Sequence, residues 1–427
     1  MKKVLRNVLV LRDNNEWKGQ DVWIEGEHIV AVTTPYELAT QNAQEIDGTG
    51  LHCSPGLIDV HIHLREPGGE AKETIATGTA SAVKGGFTHV FPMPNTNPTP
   101  DSAEKLQAFQ KRVEETAVVR VSPYGSITKQ LAGAELVPFN EMTDCIAFTD
   151  DGKGVQNPAT MLEAMKRAAH LQKPIVAHCE EEALVAEGGV FHEGAVSERF
   201  GIPGISSLSE SIHVGRDILL AEESGCRYHV CHVSTKESVR LIRDAKTAGI
   251  PVTAEVSPHH LLLCEDDITE ISGHYKMNPP LRSKEDQAAL LEGLLDGTID
   301  CVATDHAPHT PAEKEGEITT APFGVVGLEF AFSVLYTNLV LPGTLSLERL
   351  LESLTTVPRN IFNVQQVIIE PGSVADITLL DLQKKQTIQP DNFATKGRHT
   401  PFSGWDVQGI PVMTIVGGHI VFEEVRV

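Results

Sequence analysis

The chain of 427 residues is 41% hydrophobic and 22% charged, the balance of a soluble globular protein with room for one large domain and a smaller one. Its 35 basic against 58 acidic residues leave a formal charge of −23, which argues against nucleic acid or an anionic membrane as partner, since both require basic patches. No apolar run approaches the roughly 20 residues of a membrane span. No signal-peptide cleavage pattern follows Met1-Lys2-Lys3. The seven cysteines, at 53, 145, 179, 226, 231, 264 and 301, form no CxxC and read as reduced thiols of a cytoplasmic protein.

Residues 1–54 read as short strands and turns, with a hairpin from Asp21 to Val32 turning at Gly26. The same texture returns from 365, in Ser373 to Asp381 and Pro411 to Phe422. The two ends, 1–54 and 365–427, are therefore expected to pair into one composite β-sandwich domain, leaving 55–364 as a separate domain. In that middle, strands are expected at Leu57–Leu64, His89–Pro92, Val118–Pro123, Cys145–Thr149, Pro174–His178, Tyr228–Val233, Pro251–Val256 and Asp300–Thr304. Helical patterns separate most of them, such as Pro158–His170 and the run from Thr235 to Ala245. Eight β-then-α units predict an α/β fold with a closed (β/α)8 TIM-type barrel, an open doubly wound sheet being the alternative. No Gly-x-Gly-x-x-Gly follows a strand and no P-loop occurs, so no nucleotide cofactor is indicated. The runs from Asn95 to Pro100 and from His309 to Gly327 are loops by composition, the second long enough to be functional.

The chemistry-bearing residues fall at the expected strand ends. In Gly56–Glu66, side chains two apart share a face, so Asp59, His61 and His63 are expected on one side, with Ile58, Val60, Ile62 and Leu64 on the other. Two imidazoles on one strand can grip a metal ion. Cys145, Ala147, Thr149 and Asp151 are in phase on the fourth strand, and Val176 and His178 on the fifth. On the sixth, Val230 and His232 share a face and His229 is expected toward the helices; on the eighth, Cys301, Ala303 and Asp305 share one. Asp150 and Asp151 taken alone could be turn formers, Glu180-Glu181-Glu182 a solvated face, and His259 and His260 structural. His306 and His309 could be loop residues, although His309 is placed to meet a ligand. Jointly, four histidines and two aspartates at one end of separate strands point to a binuclear metal centre. A carboxylate bridging two ions, each completed by two imidazoles, makes hydroxide available near neutral pH and polarises a carbonyl. A further carboxylate can carry a proton to a leaving nitrogen. That is hydrolysis, or the reverse condensation, of an amide-like bond.

The motifs Asp59-Val-His-Ile-His-Leu-Arg-Glu-Pro-Gly, Pro92-Met-Pro-Asn-Thr-Asn-Pro, Phe148-Thr-Asp-Asp-Gly, Ala177-His-Cys-Glu, His232-Val-Ser-Thr, Lys276-Met-Asn-Pro-Pro-Leu-Arg and Ala303-Thr-Asp-His-Ala-Pro-His run the length of the chain. With them the sequence resembles the amidohydrolase superfamily and, within it, the bacterial class I dihydroorotases. The resemblance implies that His61 and His63 bind one Zn2+ and His178 and His232 a second. Asp151 would stand at the bridging place that a carboxylated lysine takes in many relatives, with Lys153 nearby in the turn. Asp305 would be the catalytic acid/base and touch the first metal. Arg65, Asn95 and His309, beside His63, would hold the substrate carboxylate; Asn278, Phe323 and Gly324 would contact the ring. The reaction implied is the reversible cyclisation of N-carbamoyl-L-aspartate to dihydroorotate, in a cytoplasmic homodimer that some species pair with aspartate transcarbamoylase. A dihydropyrimidinase, hydantoinase or allantoinase, and a non-catalytic assembly subunit of the same fold, are the alternatives. Arg65, Asn95 and Asp151 count against the first, and the intact ligand set against the second.

Overall fold

The computed structural model describes residues 2–12, 16–40 and 42–424. Met1, the head of the expected first strand, and 13–15, 41 and 425–427, inside the expected composite domain, lie outside the described residues.

Both β-rich ends join one eight-stranded sheet. Lys2–Leu11 pairs antiparallel with Trp17–Glu25, which turns at Gly26 (φ +59°) into His28–Thr33, as the hairpin pattern predicts. The short strand His52–Pro55 lies between Lys2–Leu11 and the C-terminal Ile377–Thr387, which continues through Asp406–Val416 to His419–Glu423. Their inward side chains, Leu5, Val8, Val10, Val22, Ile24, Leu379 and Ile415, enter the core.

Two residues beyond that sheet a second system begins, parallel throughout. Leu57–Ile62 pairs with Phe87–Pro92, and that with Arg120–Val121. Gly125 bridges to Phe148 and Phe148 to Ile175, linking Ile175–Ala177, Tyr228–Val230, Val252–Val256 and Cys301–Val302. A parallel bridge between His306 and Ile62 returns to the first strand, so eight parallel segments close into a ring. Most of the expected strands are present but shorter. The fourth, Cys145–Thr149, is no named strand and contributes only the bridges at Phe148, because its flanks bend to place Asp150: that carboxylate accepts from the Ile127 and Thr128 amides at 2.7 and 3.0 Å.

Helices pack outside the ring where periodicity predicts. Pro158–His170 starts at the Asn157 cap with Pro at N1, and Lys236–Thr247 at the Thr235 cap; the latter buries Val239, Ile242 and Ala245 on one face.

One cluster takes members from around the ring and is therefore its interior: Ile58, Val60, Phe91, Met93, Tyr124, Ala147, Val176, Cys231, Cys301 and Ala303, with Phe362. Phe362 follows the helix Thr356–Ile361 and packs edge-on against Phe91 and Tyr124. Simple alternation fails at three places. Ile58 and Val60 point inward whereas Ile62 and Leu64 join the outer core, because the register slips between Asp59 and Ile62 and so brings His61 and His63 inward as well. Cys145 belongs to the outer core although Ala147 is inside. On the sixth strand the parity expected is reversed: Val230 packs outward and Cys231 inward.

Candidate functional site

The ring's carboxyl end opens into a cavity of about 200 Å³ lined by His63, Arg65, Asn95, Asp151, Gly152, His178, His232, Asn278, Asp305, Ala307, His309, Phe323 and Gly324. Every sequence-predicted site residue except His61 lines it, and His61 lies fully buried beneath. Three of the non-glycine residues among these hold positive φ: Arg65 at 59°, His232 at 30° and Asp305 at 48°. Such backbone costs of order 1–3 kcal/mol for a non-glycine residue and gathers at functional sites. At His232 it has a visible use: with Cys231 facing inward, the twist keeps the next side chain on the cavity rather than among the helices.

The donor atoms converge. Asp151 Oδ1 lies 3.4 Å from His61 Nε2 and 3.9 Å from both His178 Nδ1 and His232 Nε2, while its Oδ2 lies 3.7 Å from His63 Nε2. Asp305 Oδ1 lies 3.1 Å from His63 Nε2 and 3.4 Å from His61 Nε2. A tetrahedral ion with bonds of about 2.0–2.1 Å spaces its ligands about 3.4 Å apart, so these separations suit one. Two groupings, His61–Asp151–His232 and His61–His63–Asp305, have the compactness of metal sites. His61 Nε2 and Asp151 Oδ1 are moreover buried without a hydrogen-bond partner among the described residues, a costly state that a cation would relieve. The donor set thus fits a metal.

A polar layer beneath fixes those donors. Glu255 accepts from His61 Nδ1 at 2.6 Å and pairs with His229 Nε2 at 3.0 Å, and His229 Nδ1 meets the Thr253 hydroxyl at 2.8 Å. His229 therefore faces the ring interior, against the expectation, and touches Phe362 there. Burial works against ionisation of Glu255, but the His61 and His229 imidazoles outweigh it and hold the carboxyl at about 2. His63 Nδ1 is 2.9 Å from Asn95 Oδ1, so Asn95 also orients a ligand, with its Nδ2 near Asp151. Burial likewise opposes charge on Asp305, and His61 and His63 overcome it, holding the carboxyl below the usual range.

The rim is cationic. Arg65 donates through Nε to the Pro308 carbonyl at 3.1 Å, and its terminal nitrogen lies 3.1 Å from His309 Nε2. Lys72 meets His309 Nδ1 at 3.2 Å. Burial, then the charges of Arg65 and Lys72, push the His309 imidazole down to about 2, so it is neutral. The segment from His309 to Gly327 is not bare loop: Thr310 caps a short helix, Pro311–Lys314. Lys314, 2% exposed, donates to the carbonyls of Lys276, Pro322 and Gly324 at 2.9, 3.1 and 2.7 Å. Lys276 returns the contact to Ile318 O at 2.6 Å and lies 4.4 Å from the Phe323 ring centroid. Gly324, at φ +133°, has room for no side chain, since a Cβ would come 2.6 Å from Ala307 O.

Sequence reasoning did not find Glu255, Lys72, Lys276 or Lys314, and it dismissed Glu180. A lone carboxylate in the apolar run Val252–Val256 was a usable signal, because a buried charge needs a partner. Glu180, expected on a solvated face, instead lies 3.8 Å from His178 Nε2 and 2.6 Å from Asn278 Nδ2. Glu182 is exposed as expected. His259 and His260 are buried, and His260 Nε2 meets Pro279 O at 3.0 Å, a structural role. His306 Nε2 faces Glu73 at 3.5 Å, and Asp150 shapes its turn, while Asp151 enters the cavity. The seven cysteines are free and buried. No described helix is long and apolar enough to cross a membrane.

A family model described as dihydro-orotase-like matches residues 51–238. The chain is 54% identical over 429 residues to a dihydroorotase of Halalkalibacterium halodurans, covering 100% of both chains. It is 54% identical over 424 residues to one of Geobacillus thermodenitrificans, covering 99% of each. Among solved structures it resembles an L-hydantoinase (dihydropyrimidinase) from Arthrobacter aurescens, with a TM-score of 0.87 at 26% identity over 100% of this chain and 97% of that one. A dihydropyrimidinase from Brevibacillus agri matches with a TM-score of 0.85 at 25% identity, covering 99% and 95%.

Proposed function

The chain belongs to the dihydroorotase family of amidohydrolases, and from that premise we propose how its site interconverts N-carbamoyl-L-aspartate and (S)-dihydroorotate plus water, the third step of pyrimidine biosynthesis. The observation that carries the reading is the juxtaposition, in one cavity, of the metal-type donor cluster with the cationic Arg65–His309 rim.

His61 and His63 would hold one zinc ion, His178 and His232 a second, with Asp151 between them and Asp305 beside the first. Bound there, the metal pair would supply Lewis acidity toward the ring amide carbonyl and lower the pKa of the attacking water. Arg65 binds the substrate carboxylate, an acceptor its fork of N–H donors suits, beside Asn95 and neutral His309. Asn278 and the Phe323–Gly324 backbone flank the ring. In the hydrolytic direction the water oxygen bonds to the ring carbonyl carbon. Asp305, a carboxylate beside that water, takes the proton released. As the carbon–nitrogen bond breaks, Asp305 delivers that proton to the leaving nitrogen; cyclisation runs the same steps backward.

The architecture proposed for this chemistry is a (β/α)8 barrel over 55–364 and a composite β-sandwich domain from 1–54 and 365–427. The closed ring and the shared eight-stranded sheet support it. The family reading also carries a cytoplasmic homodimer able to pair with an aspartate transcarbamoylase, which light scattering with and without that enzyme would read. The deciding assay offers the purified chain, with added zinc, dihydroorotate beside dihydrouracil and hydantoin. Preference for dihydroorotate is expected. Equal or better turnover of the uncharged rings would transfer the chain to the dihydropyrimidinase or hydantoinase reading, and no turnover of any ring to a non-catalytic one.

A further inference from the structure

Asn278 lines the cavity near Asp305 and Gly324, and its two amide atoms are in opposite circumstances. Nδ2 is 2.6 Å from Glu180 Oε2, whereas Oδ1 is buried with no hydrogen-bond partner among the described residues. Shape alone does not decide which way round an asparagine amide sits. Charge does: a carboxylate only accepts, so the NH2 must turn to Glu180 and the oxygen away from it.

Glu180 is itself held. Its backbone carbonyl accepts from Gln156 Nε2 at 2.9 Å and is 3.1 Å from His213 Nδ1, and its side chain is 18% exposed. It does not line the cavity. We infer that Glu180 is a positioning residue that fixes Asn278 as a hydrogen-bond acceptor, so that Oδ1 reads an N–H of the cyclic amide.

The inference rests on the cyclic-amide reading above and deepens it. A ring dihydropyrimidine alternates N–H and C=O groups around its edge, and an amide free to turn could pair with either. Fixing the acceptor selects one register of the ring. The open ureide keeps N–H groups, so the same acceptor serves both directions of the reaction. Sites built to bond an N–H or O–H reject analogues lacking it, because the buried group is then left unpaired.

The test compares kcat and KM of the zinc-loaded chain for dihydroorotate and its two ring N-methyl derivatives. Wild type should discriminate against one derivative by on the order of 10²-fold in kcat/KM. Glu180→Leu should raise KM for dihydroorotate about tenfold, with a much smaller change in kcat, and should narrow that discrimination about tenfold or more. The double variant Glu180→Gln with Asn278→Asp should restore it, since a glutamine NH2 can donate to Asp and leave a carboxylate oxygen toward the ring. Three results overturn the inference: equal rates of wild type on parent and both derivatives, unchanged discrimination in Glu180→Leu, or loss of bound zinc in Glu180→Leu with parallel loss of kcat on all rings. The last would mean that Glu180 acts through His178. Should wild type turn over hydantoin or dihydrouracil but not dihydroorotate, the functional reading fails. The N-methyl comparison on the accepted ring then decides the inference separately.

Discussion

His61 stands on the ring's first strand and His63 just past its end, and each has its far nitrogen tied by another side chain, Glu255 in one case and Asn95 in the other. On the same cavity Phe323 and Gly324 stand on a loop whose backbone carbonyls are held by lysine side chains. The floor is thus fixed by side chains inside a closed ring, and the rim by main-chain contacts that could open without disturbing the ring. This division separates two kinds of error. A disturbed floor should cost metal and chemistry, whereas a disturbed rim should cost recognition.

The strongest challenge to that division is Asp305→Ala. Turnover should fall about 10²- to 10⁴-fold in both directions while metal content stays near that of wild type; retained activity would remove Asp305 from its role. Arg65→Met should weaken dihydroorotate by about 10- to 100-fold, the value of charge-assisted hydrogen bonds. It should barely affect an uncharged dihydropyrimidine, and equal losses would refute a carboxylate reader. Glu255→Gln should lower metal affinity about 10- to 100-fold in a chelator competition. Arg65→Met, measured alongside, should leave that affinity unchanged, and a matching loss in both would erase the difference between floor and rim.

The smallest effect lies in the 309–327 loop, which would act as a lid over the cavity. Burial, then the charges of Lys276 and Arg65, push the Lys314 ammonium down from 10.5 to about 7. Below about 7 the ammonium is buried charged and its cost is fully present. Between about 7 and 10.5 it sheds its proton in place but keeps it when exposed, so opening the lid becomes harder as pH rises. Hydrogen exchange over 309–327, corrected for intrinsic rates, should show protection growing by up to about 1.4 kcal/mol per pH unit in that window. Lys314→Met should flatten the dependence, and a wild-type lid with no such slope would refute it.

The floor was legible because histidine and aspartate at the ends of apolar runs are rare unless used. Even so, the phase argument reached His232 and His61 by the wrong path. Period-two alternation knows nothing of the positive φ at His232 or the register slip after Asp59. Those irregularities are what let two neighbouring residues serve one cavity, and their error carried over to His229. Apart from His309, the rim was legible only where the family resemblance named it. Lysines bonded to carbonyls leave no periodic trace, since the acceptor belongs to every residue alike. Glu180 was hidden by its two acidic neighbours, which made a three-residue run look like surface.

Consider last the short strand His52–Pro55. In the sheet it lies between the N-terminal strand and the C-terminal Ile377–Thr387, and Pro55 pairs with Ile377. Gly56, next along, donates to Asp376 O at 2.9 Å, and the Asp376 carboxylate is gripped by Arg120 at 2.6 Å. The ring's first strand is therefore moored to residues far downstream in the chain. As the chain leaves the ribosome, the histidines of that strand emerge early, yet their anchor arrives more than 300 residues later. Synthesis order thus keeps the first strand waiting: the cavity gains its final rigidity only after Asp376 and Ile377 have emerged.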